Sequence, residues 1–224
     1  MKRVRQFACV LLLVVAGASL AANVFAPAGY AMQYRDELPN ARPSRLHWLG
    51  TDDLGRDRFA RVLYGTRVSL LLAPAAALLS TLLAALVGTL AGYLGGAWEK
   101  LAMASADLFL SLPWLFLLLM VRAMLPLNVS AFTSVAVTFL LLGLLGWAAS
   151  ARVLCTGARS IRNSDFVLLA RASGVSRARL LMLHVLPNLK PVLLAQFWIS
   201  IPVFILSEAN LGICLLYTSD AADE

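Results

Sequence analysis

The side chains able to do chemistry in this chain do not gather into a catalytic set. His47 and His184 titrate nearest neutrality, but the predicted topology puts them on opposite sides of a membrane. No G-x-S-x-G, H-E-x-x-H or G-x-x-x-x-G-K-[ST] pattern occurs. Asp52, Asp53 and Asp57 are close enough to hold a cation, but their spacing fits no EF-hand. Ion pairs with Arg56, Arg58 and Arg61 are the better reading. Cys9, Cys155 and Cys214 form no C-x-x-C and are expected to be reduced or buried thiols. Asp107 and Glu208 lie within or at the edge of apolar stretches. An intramembrane acid is a functional candidate by default, yet both sit near predicted span ends, and a proton relay would need a chain of such groups. If ATP drives this protein, another chain binds it.

The elements carrying these residues are apolar helices. Of 224 residues, 60% are hydrophobic and 14% charged, where a soluble domain has roughly 45–50% and about 25%. A disordered chain is thereby excluded, and an ordinary cytosolic enzyme is not expected. Charge is absent from 8–34, 68–98, 123–151 and 191–207, and between Lys100 and Arg122 only Asp107 interrupts. A crossing takes about 20 such residues, and unpaired backbone groups cannot face lipid, so the runs must be helices. Five spans are predicted, near 7–27, 68–95, 101–122, 129–150 and 189–208. The first could instead be a signal peptide, with Lys2, Arg3 and Arg5 ahead of the apolar stretch and Val24-Phe25-Ala26 as cleavage site. Its length and the four spans that follow favour an uncleaved anchor.

With the N-terminus inside, 11 Lys and Arg fall inside and 8 outside, a modest positive-inside bias. The loop 28–67 then lies outside with seven Arg and the acids Asp36, Glu37, Asp52, Asp53 and Asp57. Trp48 and Tyr64 in it suit a membrane interface, and Phe59, Val62 and Leu63 predict a short amphipathic helix. The net charge of +7 is explained by basic cytoplasmic loops facing anionic membrane lipid. Nucleic acid is not expected as a partner, since no soluble basic domain remains.

Ala76, Ser80, Ala84, Gly88, Gly92 and Gly96 recur every fourth position. Such a face lets helices approach closely, either between subunits or within one bundle. The basic segment 151–188 predicts two short helices. Asp165 or Ser164 caps the first and Gly174 ends it at positive φ; Ser176 caps the second and Pro187 breaks the pattern before the last span. Such an element can dock a partner while both its ends pull on the membrane. Otherwise it is an amphipathic loop lying on lipid.

The stretches HWLGTDDLGRDRFARVLYGTRVSL (47–70), GYLGG (92–96) and DFVLLARASGVSRARLLMLHVLPN (165–188) resemble inner-membrane permeases of dipeptide, oligopeptide and nickel ABC importers, most of all the C-type subunit. The third stretch resembles that family's cytoplasmic EAA loop. Ala170, Gly174 and Pro187 match the second Ala, the Gly and the terminal Pro; Leu168 stands at the Glu and Leu169 at the first Ala.

The resemblance implies an all-α polytopic bundle of the type I ABC importer permease fold, with five spans of an expected six. It implies a homologous second permease subunit, two ATPase subunits that bind ATP and Mg, a periplasmic solute-binding protein, and a place in the bacterial inner membrane with the N-terminus cytoplasmic. Docking of the ATPase is expected at Asp165, Phe166, Ala170, Arg171, Gly174, Val175, Ser176, Leu186 and Pro187, and helix packing at Gly88, Gly92 and Gly96. The chain would divide into an anchor and outer loop (1–66), a permease core (67–213) and a non-native, adapter-derived tail (214–224), the sixth helix being absent. Peptide import is the expected function, with nickel or another small solute as alternatives. A non-transporting scaffold or an intramembrane enzyme is the rival class.

Overall fold

The computed structural model describes residues 2–26, 29–34, 39–124 and 129–220. Asp36 and Glu37 of the predicted outer loop, and 221–224 of the predicted tail, lie outside them. The chain forms two compact units, Met1–Leu71 and Leu72–Glu224. Among the described residues the regular elements are helices, joined by isolated antiparallel bridges between Gln33 and Arg56 and between Thr51 and Asp57.

In the first unit, α1 (Lys2–Leu20) is apolar nearly all round beyond its basic first turn and leaves most side chains exposed, as a lipid-facing helix does. The short α2 (Ala22–Phe25) packs Ala22, with Ala26, on Ala60 and Leu63 of α3 (Arg58–Ala84). The Tyr64 hydroxyl donates to Asn23 Oδ1 at 2.9 Å, so this residue ties helix to helix. The separate short helix expected at 59–63 is not found. Asp57 instead caps one long helix, accepting from the Phe59 N–H at 2.8 Å. Helix α3 continues through a π turn (Ala85–Thr89) into α4 (Leu90–Leu94), giving a continuous apolar stretch Arg58–Leu94. Charge at Arg58, Arg61 and Arg67 limits what lipid can cover; it does not end a helix.

The second unit holds α5 (Gly96–Ser111), α6 (Trp114–Met124), α7 (Ala131–Leu145), α8 (Trp147–Arg162), α9 (Asp165–Ala172), α10 (Arg177–Leu180) and α11 (Leu186–Asp220). Helices α7 and α8 run on as one stretch, Ala131–Arg162. The third predicted span is bent. Pro113 disfavours helical backbone at the residue before it, Leu112 is extended, and Gly96–Ser111 and Phe116–Met124 meet at 74°. Four described helices are long and apolar enough to cross a membrane, or five if the bent pair is one span.

Pro187 does not break the last helix as expected. A π turn (Leu181–Val185) precedes it, with the Leu186 N–H donating to the Leu181 carbonyl five residues back. The wider turn accommodates the ring that would crowd the carbonyl four residues before. The helix then runs past Gly212 through Asp220.

The small-residue stripe is internal packing. On a regular helix, residues 76 and 92 would face about 160° apart. The π turn at 85–89 absorbs one residue and takes back about 100° of that drift. Ala76, Ser80, Ala84, Gly88 and Gly92 are accordingly all buried. A Cβ on Gly88 would run into the Ala151 carbonyl, and one on Gly92 into the Cys155 carbonyl. Gly96 does not belong to this packing. It opens α5 at φ +63°, and a Cβ there would meet nothing within 4 Å.

Candidate coupling surface

The segment after α8 folds as a helical hairpin. Ser164 stands at the N-cap of α9 with extended backbone, without accepting a side-chain capping bond, and Asp165 is in the first turn. Its charge faces the positive end of the helix. Gly174 takes φ +85°, where a side chain would be strained. Ser176 occupies the N-cap of α10, again without a capping bond. Burial holds the hairpin together: Val167, Leu180, Val185 and Leu189 pack with Ala158 and Tyr93, and Ala170 and Val175 cover them.

Tyr93 fixes the hairpin to the turn between α4 and α5. Its hydroxyl donates to the Arg177 carbonyl at 2.9 Å, and its own carbonyl accepts from the Arg162 guanidinium at 3.2 Å. Arg159 pairs with Glu99 at 3.1 Å, and Arg152 pairs with Asp107. The GYLGG turn, α8 and the hairpin therefore share one end of this unit.

The sequence-predicted docking residues separate into two groups. Asp165, Phe166, Arg171, Gly174, Ser176 and Pro187 are exposed, while Ala170, Val175 and Leu186 are partly buried. Four apolar residues absent from the prediction are exposed with Phe166: Leu168, Leu169, Met182 and Leu183. The Phe166 ring lies 6.3 Å from that of His184, which places the first turn of α9 beside the π turn. Phe166, Leu168 and Leu169 surround the buried Val167 on a helix too short to hide all four.

The first unit carries a polar network instead. Asp52 Oδ1 accepts from the Leu54 N–H at 3.0 Å and the Arg56 N–H at 2.8 Å. Its Oδ2 accepts from Arg56 Nε at 2.8 Å and from Arg61. Burial raises the carboxyl pKa, but the bonds from Arg56 and Leu54 and the Arg56 charge outweigh that and lower it from 3.8 to about 2. Ion pairing was expected here, and Arg56 and Arg61 supply it. Among the described residues Arg58 does not; it donates to Asn40 Oδ1 at 2.9 Å. Asp57 meets His47 Nδ1 at 3.3 Å. Among the described residues no group of three His, Cys, Asp or Glu is arranged to hold a metal ion.

Residues 84–215 match the binding-protein-dependent transport system inner membrane component family. The chain belongs to that family. The match covers α8, the hairpin and the helices it sits on. Relatives matched over about three quarters of the sequence carry permease names. One is the oligopeptide transport system permease protein OppC of Bacillus subtilis, 32% identical over 170 residues, 76% of this chain and 54% of the relative. Another is a putative peptide permease protein of Brucella abortus, 35% identical over 174 residues, 77% of this chain and 55% of the relative. A third is the dipeptide transport system permease protein DppC of Bacillus subtilis, 30% identical over 173 residues, 77% and 52%. The chain thus spans about half the length of these relatives.

Proposed function

We propose that this chain is an inner-membrane permease subunit of an ATP-driven, binding-protein-dependent importer, moving peptides across the bilayer. The observation that carries this reading is the exposed apolar face Phe166, Leu168, Leu169, Met182 and Leu183 on a hairpin whose core is packed on the span ends. Phe166, Leu168 and Leu169 lie outside the membrane-length helices and Met182 and Leu183 near the start of one, and an apolar face standing off the spans in this way needs a partner. A rigid hairpin also passes displacement to the spans rather than absorbing it.

In this reading an ATPase subunit, which binds ATP and Mg, seats on that face; Asp165 and Arg171 rim it. Closure of two ATPases pushes the hairpin. The push reaches α4 and α5 through Tyr93, α8 through Ala158, and α11 through the continuous winding from Arg177. A homologous second permease subunit completes the pathway, and a solute-binding protein delivers substrate on the opposite side. The hairpin is cytoplasmic, which puts the N-terminus inside. The names of the relatives support peptides as substrate.

The test is ATP-dependent peptide uptake in vesicles holding the assembled importer. Leu168→Asp with Leu169→Asp should abolish uptake and release the ATPase while the chain stays in the membrane fraction. Arg171→Glu should reduce coupling with less effect on assembly. Full uptake and retained ATPase in the double variant would overturn the reading.

A further inference from the structure

The loop of the first unit presents an exposed apolar tip separate from the hairpin. Ala41 and Thr51 close it, the Thr51 N–H donating to the Ala41 carbonyl at 3.2 Å and the Ala41 N–H to Thr51 Oγ1 at 2.9 Å. Within it, the Ser44 N–H donates to the His47 carbonyl at 2.8 Å, the His47 N–H to Ser44 Oγ at 3.0 Å and the Gly50 N–H to the His47 carbonyl at 3.0 Å. His47 is buried, its ring 4.6 Å from that of Tyr34. With His47 turned inward, its neighbours must face out. Leu46 is 69% exposed, Trp48 65% and Leu49 48%. Backbone hydrogen bonds fix that exposure.

Charge and position then identify the occupant. Arg42 and Arg45 are exposed beside the apolar tip, and residues 39–51 contain no acid. The Trp48 ring lies 5.1 Å from that of Phe59, in the first turn of a membrane-length helix. The tip thus adjoins the charged end of that helix, where Arg58 and Arg61 suit headgroup depth. Tryptophan and leucine beside arginine is the composition of a segment lying at the headgroup boundary.

We propose that residues 42–49 form a membrane-surface anchor. Leu46, Trp48 and Leu49 enter the boundary between headgroups and acyl chains, and Arg42 and Arg45 contact the phosphates of anionic phospholipids. The anchor fixes the height at which α3 leaves the bilayer. It rests on α1 and α3 being spans, and not on what the protein transports.

The experiment uses the full chain in vesicles of phosphatidylethanolamine and phosphatidylglycerol. Subtracting the emission of Trp48→Phe isolates the Trp48 signal from the other four tryptophans. That signal should lose most of its intensity with lipids brominated near the headgroup end of the acyl chain, and resist aqueous acrylamide. Arg42→Gln with Arg45→Gln should weaken the loss and remove its dependence on phosphatidylglycerol. A photo-crosslinking residue at Leu49 should yield lipid adducts. Quenching by acrylamide without quenching by brominated lipid, or crosslinks to protein alone, would overturn the anchor. Neither readout depends on peptide uptake.

Discussion

The loop at 39–61 and the hairpin at 163–189 are both polar-rich excursions from apolar helices, yet opposite means hold them. The loop is tied by charge and hydrogen bonds around Asp52, with scarcely any apolar core of its own. The hairpin hides Val167, Leu180, Val185 and Leu189, and its caps lack side-chain bonds. A directional polar network suits a segment that must hold one shape. Apolar burial is non-directional, which suits the lever proposed for the hairpin. The two regions should therefore fail under different insults.

Val167→Asp should separate them most sharply. A carboxylate in that dry position lacks a partner, and the hairpin should lose about 3–5 kcal/mol. Limited proteolysis should then cut within 163–185 and leave 39–57 intact. Asp52→Asn should do the reverse. It removes the charge that Arg56 and Arg61 face, loosening the loop by about 2 kcal/mol, which amide exchange at Leu54 and Arg56 would register.

Acid extends the contrast. Because the Asp52 pKa is lowered from 3.8 to about 2 on folding, its stabilisation is present in full above the unfolded value. It fades as pH falls from about 4 through about 2. Loop exchange should accelerate in that window, and molar salt should have a weaker effect of the same sign. Smaller still is Gly174→Ala. Holding alanine at φ +85° costs about 1 kcal/mol, visible as a lower melting temperature in detergent. Leu168→Glu should leave stability within about 0.5 kcal/mol, since the site is exposed. Under the proposed docking it should make ATPase association more sensitive to salt.

Sequence reasoning reached the two regions unequally. Gly174 was legible because positive φ has a residue signature, and Gly88 and Gly92 because close approach demands a missing side chain. The apolar runs announced the membrane-length helices, but not that α3 would extend N-terminally through the charged residues 58–67. The π turns were not legible, since nothing in ALVGT or LMLHV marks a wider winding; it follows from how the helix must meet its neighbours. The effect of proline was legible at neither of two places. Pro113 bends a stretch read as one span, and Pro187 is absorbed by one read as broken. Leu168 and Leu169 registered as the loss of a Glu and an Ala. Their gain as exposed apolar surface became visible once Val167 was seen to take the inner position. The roles of Asp57 as cap and His47 as the hub of the outer loop depend on folded geometry that pattern cannot convey.

The π turn at 85–89 makes this helix unusually forgiving of a lost codon. Removing one residue there would turn the bulge into ordinary α-helix and leave Gly92 against the Cys155 carbonyl. The same deletion at 76–80 would spin everything downstream through about 100° and drive side chains into α8. Membrane yields of the two deletion variants should differ accordingly. Ancestral length changes in this segment would have been admitted at one address and purged a few residues away.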